Sequence, residues 1–328
     1  MIQLQPVRTF PVEEFLLTRL AFSPDGSEIA VGHKAFRTYN VETGALQAEF
    51  EFPEFLAELR YSPDGRYLAA ANVGDNHPAT RGRVSLFHAA SGKLHWTADA
   101  DKPVETCAFS APASGAPAAL YWNGGLALAG AALESGAALP EVALPPVAVR
   151  GLACPPRGGF VCFGRDAEGA LQQVEGADLL FRKFRLLRIA TEGGQRKNSD
   201  LGIDLGIGAG VHALSPDGKL LAVELVDFKN NERHVSLVDV ETGVEANLVP
   251  LEANTLPVLA FGLGSEYFLC LKEDAEGDFN RLRIWRTSDL KLIGEAQVAL
   301  AYHSLAVNLE HSLVAFLGAG ELAIYALG

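Results

Sequence analysis

A chain of 328 residues is long enough for two ordinary domains, although repeat and all-β folds often exceed that size as one unit, and 48% hydrophobic content suffices for a large core. The formal net charge of −13 speaks against a nucleic-acid partner, because such binders draw affinity from dense Lys and Arg, and it suits a protein partner with a basic surface. The opening segment MIQLQPVRTFPVEEF has neither a basic region nor a long apolar one, and no later run approaches about 18 uninterrupted apolar residues, so no membrane span and a cytoplasmic location are expected. Cys107, Cys154, Cys162 and Cys270 sit singly in apolar runs, without a Cys-x-x-Cys pair or a His at metal spacing, and read as reduced core residues.

In chain order, residues 2 to 10, IQLQPVRTF, read as a strand preceding the first hairpin. Residues 20 to 32, LAFSPDGSEIAVG, are that hairpin: Pro24 pre-sets φ for the first turn position, Asp25 bonds nearby backbone, and Gly26 supplies the left-handed residue. Its second arm, Ile29-Ala30-Val31, is apolar at successive positions, which suits a strand covered on both faces. RTYNVETG at 37 to 44 then reads as a third strand closed by a polar turn, and ALQAEFEF as a fourth, less apolar one. The phrase returns as LRYSPDGRYLAAA at 59 to 71, with VSLFHAASG at 84 to 92 as its third strand. VETCAFSAPASGAPAALYWNGGLALAG and GLACPPRGGFVCFG keep the rhythm without the wording. HALSPDGKLLAVE at 212 to 224 restores the wording, VSLVDVETG at 235 to 243 and LRIWRTSD at 282 to 289 follow as third strands, and the chain closes on ELAIYALG. Phe22, Tyr61, Phe109, Cys154, Leu214, Phe261 and Val307 anchor seven units at spacings between 39 and 60 residues.

A phrase that recurs within one chain describes a structural unit more readily than a reaction centre. Seven such units resemble the WD40 or WD40-like β-propeller family over essentially the whole chain. The family's Trp-Asp dipeptide is degenerate here, its place taken by Tyr39-Asn40, Phe87-His88, Val238-Asp239, Trp285-Arg286 and Tyr325-Ala326. Its Gly-His dipeptide has no counterpart in any unit, so the resemblance is to the propeller class. It implies an all-β fold, a single domain over 1–328, and seven four-stranded antiparallel blades, with residues 2 to 10 adding the outer strand of the last blade. Pro6 is tolerable there because an outermost strand has one unpaired edge.

Motifs that carry chemistry are scarce. HAASGKLHW resembles the tryptophan docking motif of quinoprotein propellers, which locks neighbouring sheets together, but it occurs once and reads as a turn followed by an apolar Trp96 under the next blade. GIGAGV at 206 to 211 is not G-x-G-x-x-G and enters a strand where a phosphate site needs a helix. No G-x-S-x-G elbow, H-E-x-x-H or P-loop is present. His212 stands where the first two units have Leu20 and Leu59 and reads as a hydrogen-bonded core histidine.

Arg60 departs most from the repeat. The other units have Ala21, Ala108, Ala153, Ala213, Ala260 and Ala306 at its position on the innermost strand, and an unpaired buried charge there is costly. Either it pairs internally, with Glu58 or a neighbouring blade's carboxylate, or it reaches the central channel. The residues entering each inner strand, among them Arg19, Glu58, Glu105, Arg150, Tyr302 and His303, are expected around the channel mouth. Long connections from 72, 165, 226 and 272 are expected at the same end and bring Glu273 and Asp274 to it. Loops on a rigid scaffold are where binding concentrates, so these residues are the candidate binding set; no catalytic residue, metal or cofactor is assigned. The leading expectation is a monomeric, non-enzymatic interaction scaffold, and the alternative is a propeller hydrolase or lactonase with Glu58, Arg60, Glu105, Arg150 and His303 at the channel mouth.

Overall fold

A computed structural model describes residues 3–12, 19–33, 35–52, 55–72, 81–110, 118–123, 127–145, 147–155, 159–166, 172–173, 180–181, 184–192, 195–200, 212–227, 232–251, 257–262, 265–273, 279–299, 302–308, 310–318 and 320–328. For 166, 172–173, 180–181, 184, 190–192, 195–200, 226–227, 247–249 and 302–303 it describes the backbone alone. Among these residues every named element is a strand, and no helix is long and apolar enough to cross a membrane.

The repeated phrase folds as read. In each copy the serine hydroxyl donates to the aspartate carboxylate, at 2.7 Å for Ser23, 2.6 Å for Ser62 and 2.8 Å for Ser215, and accepts the amide of the strand beyond. Gly26, Gly65 and Gly218 hold φ of 70°, 72° and 69°, a conformation costly for any residue bearing a Cβ.

Seven four-stranded antiparallel sheets result. Blade one is β2 (Arg19–Phe22), β3 (Glu28–Gly32), β4 (Phe36–Asn40) and β5 (Leu46–Phe50); blade two is β6 (Leu56–Tyr61), β7 (Tyr67–Asn72), β8 (Gly82–His88) and β9 (Leu94–Ala100). Blade three is β10 (Cys107–Ser110), β11 (Ala119–Asn123), β12 (Ala127–Ala132) and β13 (Val142–Ala143). Blade four is β14 (Val147–Ala153), β15 (Phe160–Asp166), β18 (Phe184–Glu192) and β19 (Gln195–Asp200), with a small hairpin of β16 (Gln172–Gln173) and β17 (Leu180–Phe181) between its second and third strands. Blade five is β20 (His212–Leu214), β21 (Leu220–Asp227), β22 (Glu232–Asp239) and β23 (Glu245–Leu251); blade six is β24 (Val258–Phe261), β25 (Tyr267–Glu273), β26 (Asn280–Arg286) and β27 (Lys291–Val298). Blade seven takes β28 (Tyr302–Asn308), β29 (Leu313–Gly318) and β30 (Glu321–Leu327), and its outer strand is β1 (Leu4–Pro11). The expected closure therefore holds, from Leu4 opposite Leu327 to Pro11 opposite Glu321.

Inner strands β2, β6, β10, β14, β20, β24 and β28 touch in order, and β28 returns to β2, so the sheets form a ring. A cluster of buried apolar side chains fills the seam between each blade and the next. Second strands lie in the middle of this packing: every residue of β7 is buried, as are all of β3 and β29 beyond their first residue, which is why they are apolar without alternation.

Adjoining blades are also fastened at the turn between third and fourth strands. Phe10 of β1 crosses from blade seven to pack on Tyr39, at 5.2 Å between ring centroids, and over Gly44, where a Cβ would lie 3.2 Å from the ring. Arg8 donates twice to the Glu42 carbonyl of the same turn, at 2.8 and 3.1 Å. Trp96 repeats the device between blades two and three: its ring lies over Gly136 and its Nε1 donates to the Leu133 carbonyl at 2.9 Å. Trp96 thus lies under the next blade, as the sequence reading had it, and its ring and indole N–H both engage the neighbouring sheet.

Candidate functional site

Each first strand enters the ring at one end, and each second strand leaves at that same end. Antiparallel register shows this in blade one, where Arg19 opposes Gly32, and in blade six, where Val258 opposes Leu271 and Glu273 opposes Asn280. Arg19, Glu58, Glu105, Arg150 and Glu273 consequently share one end, opposite the Ser-Pro-Asp-Gly turns. Tyr302 and His303 begin β28 at that end, but their side chains, like Asp274 as a whole, lie outside the described residues.

Contacts at this end run from blade to blade. Arg19 Nε donates to the Ala57 carbonyl at 2.7 Å, joining blades one and two. Arg150 of β14 pairs with Glu105, which precedes β10, joining blades three and four. Burial pushes the Glu105 carboxyl above its ordinary range, and the attraction of Arg150 opposes this. His212 of β20 continues the chain into blade five, its Nε2 donating to the Arg150 carbonyl at 3.1 Å and its ring 4.7 Å from that of Phe163. Burial pushes the His212 pKa down to about 4, against the pull of that carbonyl, so the ring is neutral at pH 7. This is the hydrogen-bonded core histidine expected from the repeat.

Arg60 takes the first of the two courses the sequence left open, pairing internally with Glu58. Register places Arg60 opposite Ala69 and Glu58 opposite Ala71, on the face of blade two turned toward blade three. Arg60 meets Glu58 at 3.5 Å, with side chains 40% and 24% exposed. Burial disfavours its charge, but the attraction and hydrogen bond of Glu58, together with smaller contributions from Cys107 and Cys154, more than offset this, so the guanidinium stays charged.

Burial pushes the thiols of Cys107, Cys154 and Cys270 up to about 12, and that of Cys162 higher still, so at pH 7 all four are protonated. Among the described residues no group of three or more His, Cys, Asp and Glu is placed to hold a metal ion.

A polar cluster at the opposite end involves residues the sequence reading did not single out. The β8–β9 hairpin brings the rings of His88 and His95 to 4.6 Å, and Tyr67 stacks on His95 at 5.2 Å. Tyr67 and Arg66 both donate to Glu134 of blade three, at 3.0 and 2.9 Å. Hairpin spacing across the turn Ala89–Gly92 was the signal.

No protein-family model matches this chain, and no curated protein matches it. Among solved structures it is similar to the β-propeller domain of Cps50 (Swd1) from Myceliophteria thermophila, with a TM-score of 0.67 and 14% identity over 99% of this chain and 100% of that one. The likeness is one of fold: the chain folds as a WD40-like seven-bladed β-propeller.

Proposed function

We propose that the chain, as one propeller domain over 1–328, is a non-enzymatic interaction module that presents its strand-entrance end to a protein partner. One observation carries this: Arg19, Glu58, Glu105, Arg150 and Glu273, none fixed by the repeat, come to the same end of a rigid ring, where connections between second and third strands also emerge. Scaffolds of this kind place binding on such loops. With a net charge of −13, the partner surface that best complements the module is basic, and acidic rim residues would act chiefly on association rate and salt dependence.

The test compares the two ends in folded protein, once capture from the native cell has supplied a partner. Glu273, Asp274 and Glu276 to Lys should slow association and flatten its salt dependence. Asp25, Asp64 and Asp217 to Asn, in the turns opposite, should leave affinity unchanged. Weakened binding in the second set alone would refute the choice of face. The Cps50 (Swd1) domain supports the scaffold reading through shared architecture, which does not by itself determine a partner.

A further inference from the structure

We propose that the seam between blades five and six binds a phosphoryl group, held by the ammonium of Lys272. β25 is buried and apolar from Phe268 to Leu271 and then sets a lysine, 8% exposed, into the same packing. Phe268 and Cys270 share a cluster with Ala222, Val235 and Leu237 of blade five, so Lys272, two residues on, faces blade five as well. Its Nζ bears this out, donating across the seam to the Pro250 carbonyl of β23 at 3.2 Å. That is one neutral acceptor for three N–H groups carrying a full charge, and among the described residues no carboxylate forms an ion pair with it. A buried ammonium in this state is costly, and a hydrogen-bonded counter-ion removes the cost.

Neighbouring charges favour the same occupant. Register sets Arg281 directly opposite Lys272, and Arg283 opposite Cys270, so the three cations share one face of blade six. Opposed side chains in a sheet have Cβ atoms about 4.5–5.5 Å apart, and like charges placed so repel. Glu295 of β27 bonds Arg281 at 2.6 Å and Arg283 at 2.8 Å and leaves Lys272 outside the pairing. Across the seam, Glu224, two residues beyond Ala222 on β21, pairs with Arg233. At this end of the seam the described residues thus set Arg233, Lys272, Arg281 and Arg283 against Glu224 and Glu295, an excess of two positive charges in a chain of net charge −13. A phosphoryl group brings about −1.5 to −2 charges and three acceptor oxygens, which suits both that excess and the unused N–H groups of Lys272; a carboxylate brings half the charge. Lysine serves phosphate as a point charge and needs no planar fork. The side chains of Arg281, Arg283 and Glu295 are 26%, 26% and 31% exposed, so this face is open to solvent at the third and fourth strands and shut at Lys272.

Inorganic phosphate is the probe, read by titration calorimetry and thermal shift at constant ionic strength. Acetate is the monoanion arm, and a phosphoserine peptide beside its unphosphorylated form is the source arm. Wild-type protein should bind phosphate, and acetate more weakly. Lys272→Met keeps the apolar stem, should fold, and should weaken phosphate binding about tenfold or more by removing a charged donor. Lys272→Arg should retain most of the binding, and Glu295→Gln, which removes the competing carboxylate, should tighten it several-fold. The last two variants decide the matter even where the methionine variant fails to fold. If Lys272 merely staples the two blades, Lys272→Met melts lower yet binds phosphate as wild-type protein does, which overturns the proposal, as does a wild-type protein that binds no phosphate. Acetate bound as tightly as phosphate overturns the phosphoryl assignment, and so does equal binding of the two peptides. A phosphopeptide bound more tightly than phosphate identifies a phosphorylated side chain as the source, phosphate bound with the phosphopeptide refused identifies a free phosphate, and either supports the site.

Discussion

Deleting residues 1–11 removes β1 and tests how the ring is held closed. The strand contributes seven register pairs to β30, two partly buried side chains, Leu4 and Phe10, and the Arg8 contacts to the Glu42 carbonyl. The ladder's net gain is roughly offset by the entropy of ordering the strand, so the side chains decide the balance. At about 1.5–3 kcal/mol each for full burial, they contribute at most about 3–6 kcal/mol. An unfolding entropy of about 2.1 cal/mol/K per residue gives about 0.7 kcal/mol/K for 328 residues, so the melting temperature should fall by several degrees and by no more than about 9 °C. Calorimetry reads this directly, and light scattering should report aggregation through the newly bared edge of β30. A peptide of residues 3–12 added in excess should restore much of the loss, whereas Val7→Ala, at a position 41% exposed, should cost under about 0.5 kcal/mol. An unchanged melting temperature in the deletion would refute the reasoning that β1 closes the ring energetically.

Further outcomes are expected elsewhere. Asp217→Ala removes the acceptor of the Ser215 and Ser265 hydroxyls, at 2.8 and 2.6 Å, and should cost about 1.5–3 kcal/mol by chemical denaturation. Ser23 holds the Asp25 carboxyl below its ordinary pKa; that stability is complete above the unfolded value near 3.8 and is lost as pH falls through the lower folded value, so Asp25→Asn should flatten the acid limb of a stability–pH curve. For His212 the folded pKa of about 4 lies below the ordinary 6.5, so the unfolded chain takes up the proton first and stability falls from about pH 6.5 to about 4; His212→Gln should remove that component, and the imidazole resonance should titrate near 4. Trp96→Phe keeps a ring over Gly136 but loses the bond to Leu133, at a cost of about 1 kcal/mol in denaturant.

What was legible in the sequence is what depends on neighbours along the chain. The Ser-Pro-Asp-Gly turns and their arms could be read because turn chemistry is local, and closure by residues 2 to 10 followed from counting strands once the repeat was known. Arg60 stood out against six alanines, and Glu58, two residues away on the same strand face, was nameable as its partner. The Arg150–Glu105 pair was not, because it joins blades across 45 residues and only the ring brings them together. The β16–β17 hairpin escaped notice because Gln172–Gln173 and Leu180–Phe181 are too short to carry a periodic signal. Trp96 was read correctly as lying under the next blade, but its bond to the Leu133 carbonyl depends on where a turn in another sheet places its backbone.

The fastenings of Phe10 on Gly44 and Trp96 on Gly136 belong to the end that carries the repeated turns. They divide the molecule into a chassis and a deck. On the chassis side a ring face rests on bare backbone, so even one added methyl at the glycine would push adjoining sheets apart, and variation there is penalised. On the deck side, the connections between second and third strands differ in length from blade to blade. Blade four carries an extra hairpin there while its own four strands stay paired in one sheet. Lengthening or exchanging those connections is therefore a change the ring can absorb one blade at a time, so new recognition surfaces can be tried without reopening the question of whether the protein folds.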